Sequence, residues 1–286
     1  MPLTRPRGGE YADEVHGFWL WQLVLAMALN CVVQALAIAA YAARLAGARS
    51  GRVATAISLF NIFATSSRFA QMFYTPMLGA LSDRAAFTSL GAYQWQLRAI
   101  VIAGTVGAVI GTLAIPTFVM LYLRAIRALE RSGSVPKAAL AMFRPATVAV
   151  VLREVKFGVA TKIRELPFRN VPKDILLLNV SVTAVYGIGI VAAAYASVLY
   201  PQAARTAVLS SGLVNGFATI AYNIVVDPAS ALITDRAVRG ERSIDDVRAL
   251  VAGLSITAVI GMVLSQLLLV PGARLIEFGA KLITHG

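Results

Sequence analysis

Tyr41-Ala42-Ala43-Arg44-Leu45 returns as Tyr195-Ala196-Ser197-Val198-Leu199, and Asn61-Ile62-Phe63-Ala64-Thr65 returns as Asn215-Gly216-Phe217-Ala218-Thr219. Both recurrences share one offset, 154 residues (41 to 195, 61 to 215). Pro76 followed by Asp83-Arg84-Ala85 returns as Pro228 followed by Asp235-Arg236-Ala237, at an offset of 152 (83 to 235). The chain therefore reads as a duplicated half-length unit that lost two residues in its second copy. In a membrane chain, such a duplication marks a transporter built from two related halves.

Composition places the chain in a membrane. Hydrophobic residues make up 58% and charged residues 14%, with a mean hydropathy of +0.72. A soluble domain carries about a quarter charged residues, and several apolar stretches here reach the roughly 20 residues that span a bilayer. The alternation of a membrane β-barrel is missing, so the expected class is all-α. Net charge is +12, but the basic residues lie between apolar spans. They are read as signals for topology and anionic lipid, with no nucleic-acid partner. The single cysteine, Cys31, lies in an apolar run and packs as a small hydrophobe.

Six membrane helices are expected. They run over about 18–45, 53–81, 97–123, 174–199, 206–234 and 247–270, the last stopped by Pro271-Gly272. Residues 1–17 form a polar N-terminal extension that does not resemble a cleavable signal. Residues 18–123 form the first three-helix repeat and 174–286 the second. Between them, the basic central loop 124–173 is too charged to cross. Its stretch from Pro145 to Glu165 mixes Val148, Val151, Leu152, Val155 and Ile163 with Arg153, Lys156, Lys162 and Arg164, the pattern of amphipathic helices on a membrane surface. A soluble helical hairpin is the alternative.

An odd number of spans per copy turns the second copy upside down, so the duplication is expected to be an inverted repeat. Charge orients it. With the central loop in the cytoplasm, the inner segments hold 18 Lys/Arg and the outer ones 7, Arg68 being the one within a span. That bias agrees with the positive-inside rule and places both termini outside a multi-pass membrane protein.

An ionisable group within a span is a functional candidate by default. Arg68 stacks with Asn61 and Thr65 on one helix face, near Ser66, Ser67 and Gln71. A buried Arg can donate two hydrogen bonds to phosphate oxygens through its planar fork; the structural alternative is a salt bridge to Asp227. In the 154-residue register Arg68 corresponds to Tyr222, so the cationic centre belongs to the first half alone. Asp227-Pro228 is read as a broken helix lining a transport site, or as a plain kink. Asp83-Arg84 and Asp235-Arg236 end the two long spans; they are read as gates or pairs joining the halves, or as interface anchors. Asn61 and Asn215 suit interhelical hydrogen bonds. Gln34, Gln71, Tyr186, Tyr222 and Asn223 add polar lining.

The histidines are His16 and His285, near the two ends, so no Cys/His metal site and no Ser/His/Asp arrangement is expected. No phosphate-binding Walker loop is present. No cofactor is expected, and the chain is not read as an enzyme.

The second span and its flank, Tyr41-Ala42-Ala43-Arg44-Leu45-Ala46-Gly47-Ala48-Arg49-Ser50-Gly51-Arg52, then Ala56-Ile57-Ser58-Leu59-Phe60-Asn61-Ile62, Ser67-Arg68 and Pro76-Met77-Leu78-Gly79, resemble the Amj family of lipid II flippases. Asp227-Pro228 and Leu232-Ile233-Thr234-Asp235 fit that family's second half. The resemblance implies movement of lipid II, an anionic polyprenyl-diphosphate glycolipid, from the inner to the outer leaflet of the bacterial cytoplasmic membrane for peptidoglycan synthesis. Under it, Arg68 and Asn61 bind the diphosphate, and Arg44, Arg49 and Arg52 capture the lipid at the inner leaflet. Asp83, Arg84, Asp227, Asp235, Arg236 and Asn215 are gating or coupling residues. The rival readings are a membrane enzyme acting on a polyprenyl phosphate and an ion-coupled small-solute transporter. Monomer and homo-oligomer are both left open, as is the energy source.

Overall fold

The computed structural model describes residues 8–85, 89–133 and 165–285. Among them the chain is all-helical: α1 (Gly8–Ala39), α2 (Ala42–Ser50), α3 (Val53–Ala85), α4 (Leu90–Leu113), α5 (Ile115–Ser132), α6 (Lys173–Leu199), α7 (Ala204–Leu209), α8 (Ser211–Ala221), α9 (Asp227–Val238) and α10 (Ile244–His285). The amphipathic stretch expected between Pro145 and Glu165 lies almost wholly outside the described residues. α1 begins at Gly8, so helix takes in part of the N-terminal extension.

Five helical runs among the described residues are long and apolar enough to cross a membrane: Leu20–Ser50, Leu90–Leu113, Lys173–Leu199, Pro201–Val238 and Ile244–Thr284. The expected second span, α3, is long enough at 33 residues. Its polar centre (Asn61, Thr65, Ser66, Ser67, Arg68, Gln71) keeps its hydropathy below that of the others.

Four expected helices differ from the sequence reading, each for a local reason. The first run breaks at Ala40-Tyr41, where α2 starts afresh. The third breaks at Ala114, because Pro116 stands in the first turn of α5, where its missing N–H is not needed. The fifth is a chain of short pieces, with a π-helical turn over Tyr222–Val226 immediately before Asp227-Pro228. The sixth does not stop at Pro271-Gly272: α10 passes through Pro271 and continues to His285. Gly51 closes α2 with φ 68°, a left-handed conformation that glycine adopts without a Cβ penalty, and lets α3 double back. Ser89 caps α4 by accepting the Ala92 N–H at 3.2 Å.

Each half packs in the same way. α1 lies against α4 and α3, and α6 lies against α10 and α8. Small residues make both major contacts close. A Cβ on Gly107 would overlap the Cys31 carbonyl of α1, and one on Gly261 would lie 2.7 Å from the Val180 carbonyl of α6. These two glycines stand 154 residues apart, and Gly104 and Gly111 correspond to the buried Ala258 and Ser265. A glycine therefore stands at the closest approach of each helix pair.

Contact order shows direction. α1 and α4 run parallel, with Asn30 donating to the Ile100 carbonyl at 2.9 Å and Gly111 meeting Ala35. α3 runs antiparallel to α1, through Ser67 to Val33 and Arg84 to Gln22. α3 is parallel to α6, through Gln71 to Tyr186 and Ser82 to Ala194. α4 and α10 join the halves antiparallel: Arg98 donates to the Gln266 carbonyl at 3.0 Å, Gln266 donates back to the Arg98 carbonyl at 3.2 Å, and Thr105 donates to Met262 at 3.3 Å. The apolar interior forms two clusters toward opposite ends. One gathers Tyr41, Leu45, Leu59, Tyr122, Ile126, Val247 and Leu254; the other gathers Tyr74, Leu78, Tyr93, Leu97, Ile100 and Leu269.

Candidate functional site

The nine-residue helix α2 is the centre of the site. It packs against α3 and α5 of the first half and α9 and α10 of the second. Ala42, Ala43, Leu45, Ala46, Gly47 and Ala48 are all buried, so the helix is enclosed on most of its circumference. Such small residues allow the close approach: a Cβ on Gly47 would lie 3.0 Å from the Ala56 Cβ. Enclosure carries Arg44 inward with them.

The Arg44 side chain is 10% exposed and pairs with the Asp227 carboxylate, itself 46% exposed. Tyr222 lies beside Arg44, and both Tyr222 and Arg44 lie beside Tyr41. The Tyr41 hydroxyl donates to Asn179 Oδ1 at 3.2 Å, and the fully buried Asn179 donates at 2.9 Å to the Leu254 carbonyl and to Thr257 Oγ1. A continuous polar chain therefore crosses from α2 through α6 to α10, inside a shell of apolar side chains. Low polarity around such a chain raises the cost of leaving any member unpaired. The Arg44 Nε–H is buried and has no hydrogen-bond partner among the described residues.

A cleft of ≈ 90 Å³ opens at this pair. It is lined by Arg44 and Gly47 from α2, Asn61 and Phe60 from α3, and Asp227 and Thr234 from α9. Drug-sized ligands need about 300 Å³ or more, so this space suits one small charged group and leaves any larger attachment outside.

Arg44 stands in α2 with its side chain largely enclosed, apart from the two arginines expected to act with it. Arg49 and Arg52 are exposed, and Arg52 pairs with Glu130 of α5 at 2.9 Å. The proposed alternative of an Arg68–Asp227 bridge is corrected, because Asp227 takes Arg44. Arg68 projects from the exposed face of α3 with Asn61 and Thr65, and makes no ion pair or hydrogen bond among the described residues. The register partner of Arg68, Tyr222, sits beside Arg44 instead.

Among the described residues, Asp83-Arg84 makes no ion pair with Asp235-Arg236. Arg84 donates to Gln22 of α1, whereas Asp235 pairs with Arg239 at 2.7 Å and Arg236 with Glu241 at 4.0 Å. The two motifs end helices that run in opposite directions and so lie toward opposite ends of the bundle. Asn215 is not seen in an interhelical hydrogen bond: its Oδ1 is buried without a partner among the described residues, against Gly189, where no Cβ would fit.

Sequence reasoning missed Tyr41 and Asn179 as site residues. Asn179 carried a readable signal, an amide within an otherwise apolar run; Tyr41 was noticed only as part of the repeat.

Comparison with known proteins agrees with the motifs quoted above. The profile of the family described as Amj, alternate to MurJ, matches residues 29–280. A protein of Bacillus subtilis (strain 168) named Lipid II flippase Amj is 33% identical over 261 residues, covering 91% of this chain and 97% of its own length. No solved structure matches.

Proposed function

The chain belongs to the Amj family, alternate to MurJ, and on that premise we propose that it is a lipid II flippase of the bacterial cytoplasmic membrane, a transporter and not an enzyme. Near-complete coverage of the similar flippase carries this reading, since most of both expected repeats and the whole α2 segment fall inside the matched residues.

Six crossings, with α3 as the sixth, arranged as an inverted repeat support this activity. The alternating helix directions, the matched packing within each half and the antiparallel α4–α10 contact favour that arrangement. A polar α3 would be unstable facing hydrocarbon on every side; it is suited to line a wet path for a headgroup too hydrophilic for the bilayer. Arg68, Asn61 and Thr65 offer that path one cation and two hydrogen-bonding groups. The end of the bundle holding Arg49, Arg52, Arg236, Arg239, Arg242 and Arg248 faces the cytoplasm and attracts anionic lipid, with both termini outside. Asp83-Arg84 and Asp235-Arg236 then guard opposite faces.

Purified protein reconstituted in vesicles with labelled lipid II tests the proposal. Lipid II placed in one leaflet should become accessible in the other at a rate proportional to protein. Retention in its original leaflet, in vesicles where a known flippase moves it, would overturn the reading.

A further inference from the structure

We propose that the Arg44–Asp227 ion pair is an anion-exchange latch: a polyprenyl diphosphate displaces Asp227 from Arg44 and thereby releases α9 from α2. The proposal rests on the flippase reading for the identity of the anion; the exchange itself rests on the geometry.

Four observations carry it. First, the pair is lopsided. Arg44 is nine-tenths buried, while Asp227 is nearly half exposed. The carboxylate lies at the open side of the pair and can swing away, whereas the guanidinium must keep an anion beside it. Second, Arg44 is under-used. Its Nε–H has no partner among the described residues, and a guanidinium carries five donors in a fork matched to phosphate. A diphosphate can use donors that a single carboxylate oxygen does not.

Third, there is room for the incoming group. The ≈ 90 Å³ cleft lies against the pair, with Asn61 and Thr234 on its walls. The exposed Asn61 amide can donate to phosphate oxygens, whereas the Thr234 hydroxyl already donates to the Ser230 carbonyl at 2.9 Å. Fourth, the helix carrying Asp227 is built to move. The π-helical turn Tyr222–Val226 precedes it, and Pro228 removes a backbone donor from the turn that follows. Since α2 belongs to the first half and α9 to the second, opening the pair loosens the halves at this end. Replacing one anion by another keeps Arg44 paired throughout, so the exchange avoids an uncompensated buried charge.

Binding is measured on purified full-length protein in nanodiscs, using undecaprenyl diphosphate, undecaprenyl monophosphate and inorganic pyrophosphate as separate probes. Asp227→Asn removes the competing anion and should tighten diphosphate binding by about tenfold, while slowing lipid II transfer. Arg44→Gln should weaken binding by about tenfold or more, the worth of charge-assisted hydrogen bonds. Because Arg44→Gln could unfold the protein, a second variant, Arg44→Met with Asp227→Met, replaces the pair by apolar groups, which buried ion pairs tolerate. It should fold and not bind. Unchanged binding in the double variant, or weaker binding in Asp227→Asn, would overturn the latch. A wild-type protein that binds diphosphate through Arg44 but does not move lipid II would instead overturn the flippase reading and leave the site standing. Equal binding of inorganic pyrophosphate would assign the site to the free anion; preference for the lipid would assign it to the headgroup.

Discussion

Arg44 of α2 and Asp227 at the start of α9, 183 residues apart in the chain, form an ion pair that ties the two halves together beside a cleft. Its polar surroundings (Tyr41, Tyr222, Asn179) make it a structural joint as well as a charge site. Asp227→Ala should destabilise the protein by about 2 kcal/mol, less than for a fully buried pair because the carboxylate is half exposed. Thermal unfolding in detergent measures this; no change would mean that Arg44 finds another anion in the fold.

Arg68 should behave in the opposite way. Its side chain is exposed and bonds to nothing among the described residues, so Arg68→Gln should leave unfolding within about 0.5 kcal/mol of wild type. Lipid II export in cells that depend on this protein should nevertheless fall. Normal growth of such cells would remove Arg68 from the path.

The close glycine contacts make a third test. Gly107→Ala and Gly261→Ala each push a Cβ into a facing backbone carbonyl and should cost about 1–3 kcal/mol or more. Gly79→Ala, where nothing lies near the added carbon, should be neutral or slightly stabilising. Equal melting temperatures for all three would contradict the close packing of α1 on α4 and α6 on α10.

Asn179 joins three helices. Asn179→Ala removes the acceptor of the Tyr41 hydroxyl and the amide's bonds to the Leu254 carbonyl and Thr257, at a cost of about 1–2 kcal/mol. Asn179→Ala should also remove most of the effect of Tyr41→Phe when the two are combined, because the two act through one bond. Strict additivity in that double-mutant cycle would show that the bond does not form.

Orientation is tested with single cysteines in a Cys31→Ser background. Glu241→Cys, beside the basic end, should be protected from an impermeant maleimide added outside intact cells. Ser89→Cys, between α3 and α4, should be labelled. The reverse pattern would invert the topology and place the basic end outside.

Much of the fold could be read from residues alone, because its determinants are local. Apolar run length predicts helices, and the recurring Asn61/Asn215 and Pro76/Pro228 suggest two copies; Pro116 escapes that reading, because the apolar run continues on both sides of it. Pro271 misled too. A proline ends a helix in water, where the freed carbonyl is easily solvated, but neighbouring helices can carry a long membrane-type helix through one.

The site was legible in its ingredients and not in its pairings. Arg68, Arg44, Asn61 and Asp227 are all visible as polar residues in or near apolar runs. Arg68 looked central because it stands mid-span, and Arg44 looked peripheral because two more arginines follow it. Chain position does not tell which way a side chain points. Enclosure of α2 by four helices turns Arg44 inward, and the open face of α3 turns Arg68 outward.

The sequence by itself determined the helical membrane class and the family, since each depends on composition, period or motif along one line of chain. Only the tertiary structure decided that Asp227 meets Arg44, that Asp83 and Asp235 lie toward opposite ends, and that Asn179 links α2 to α10. Those outcomes depend on helix direction and rotation, which packing sets once distant segments have come together.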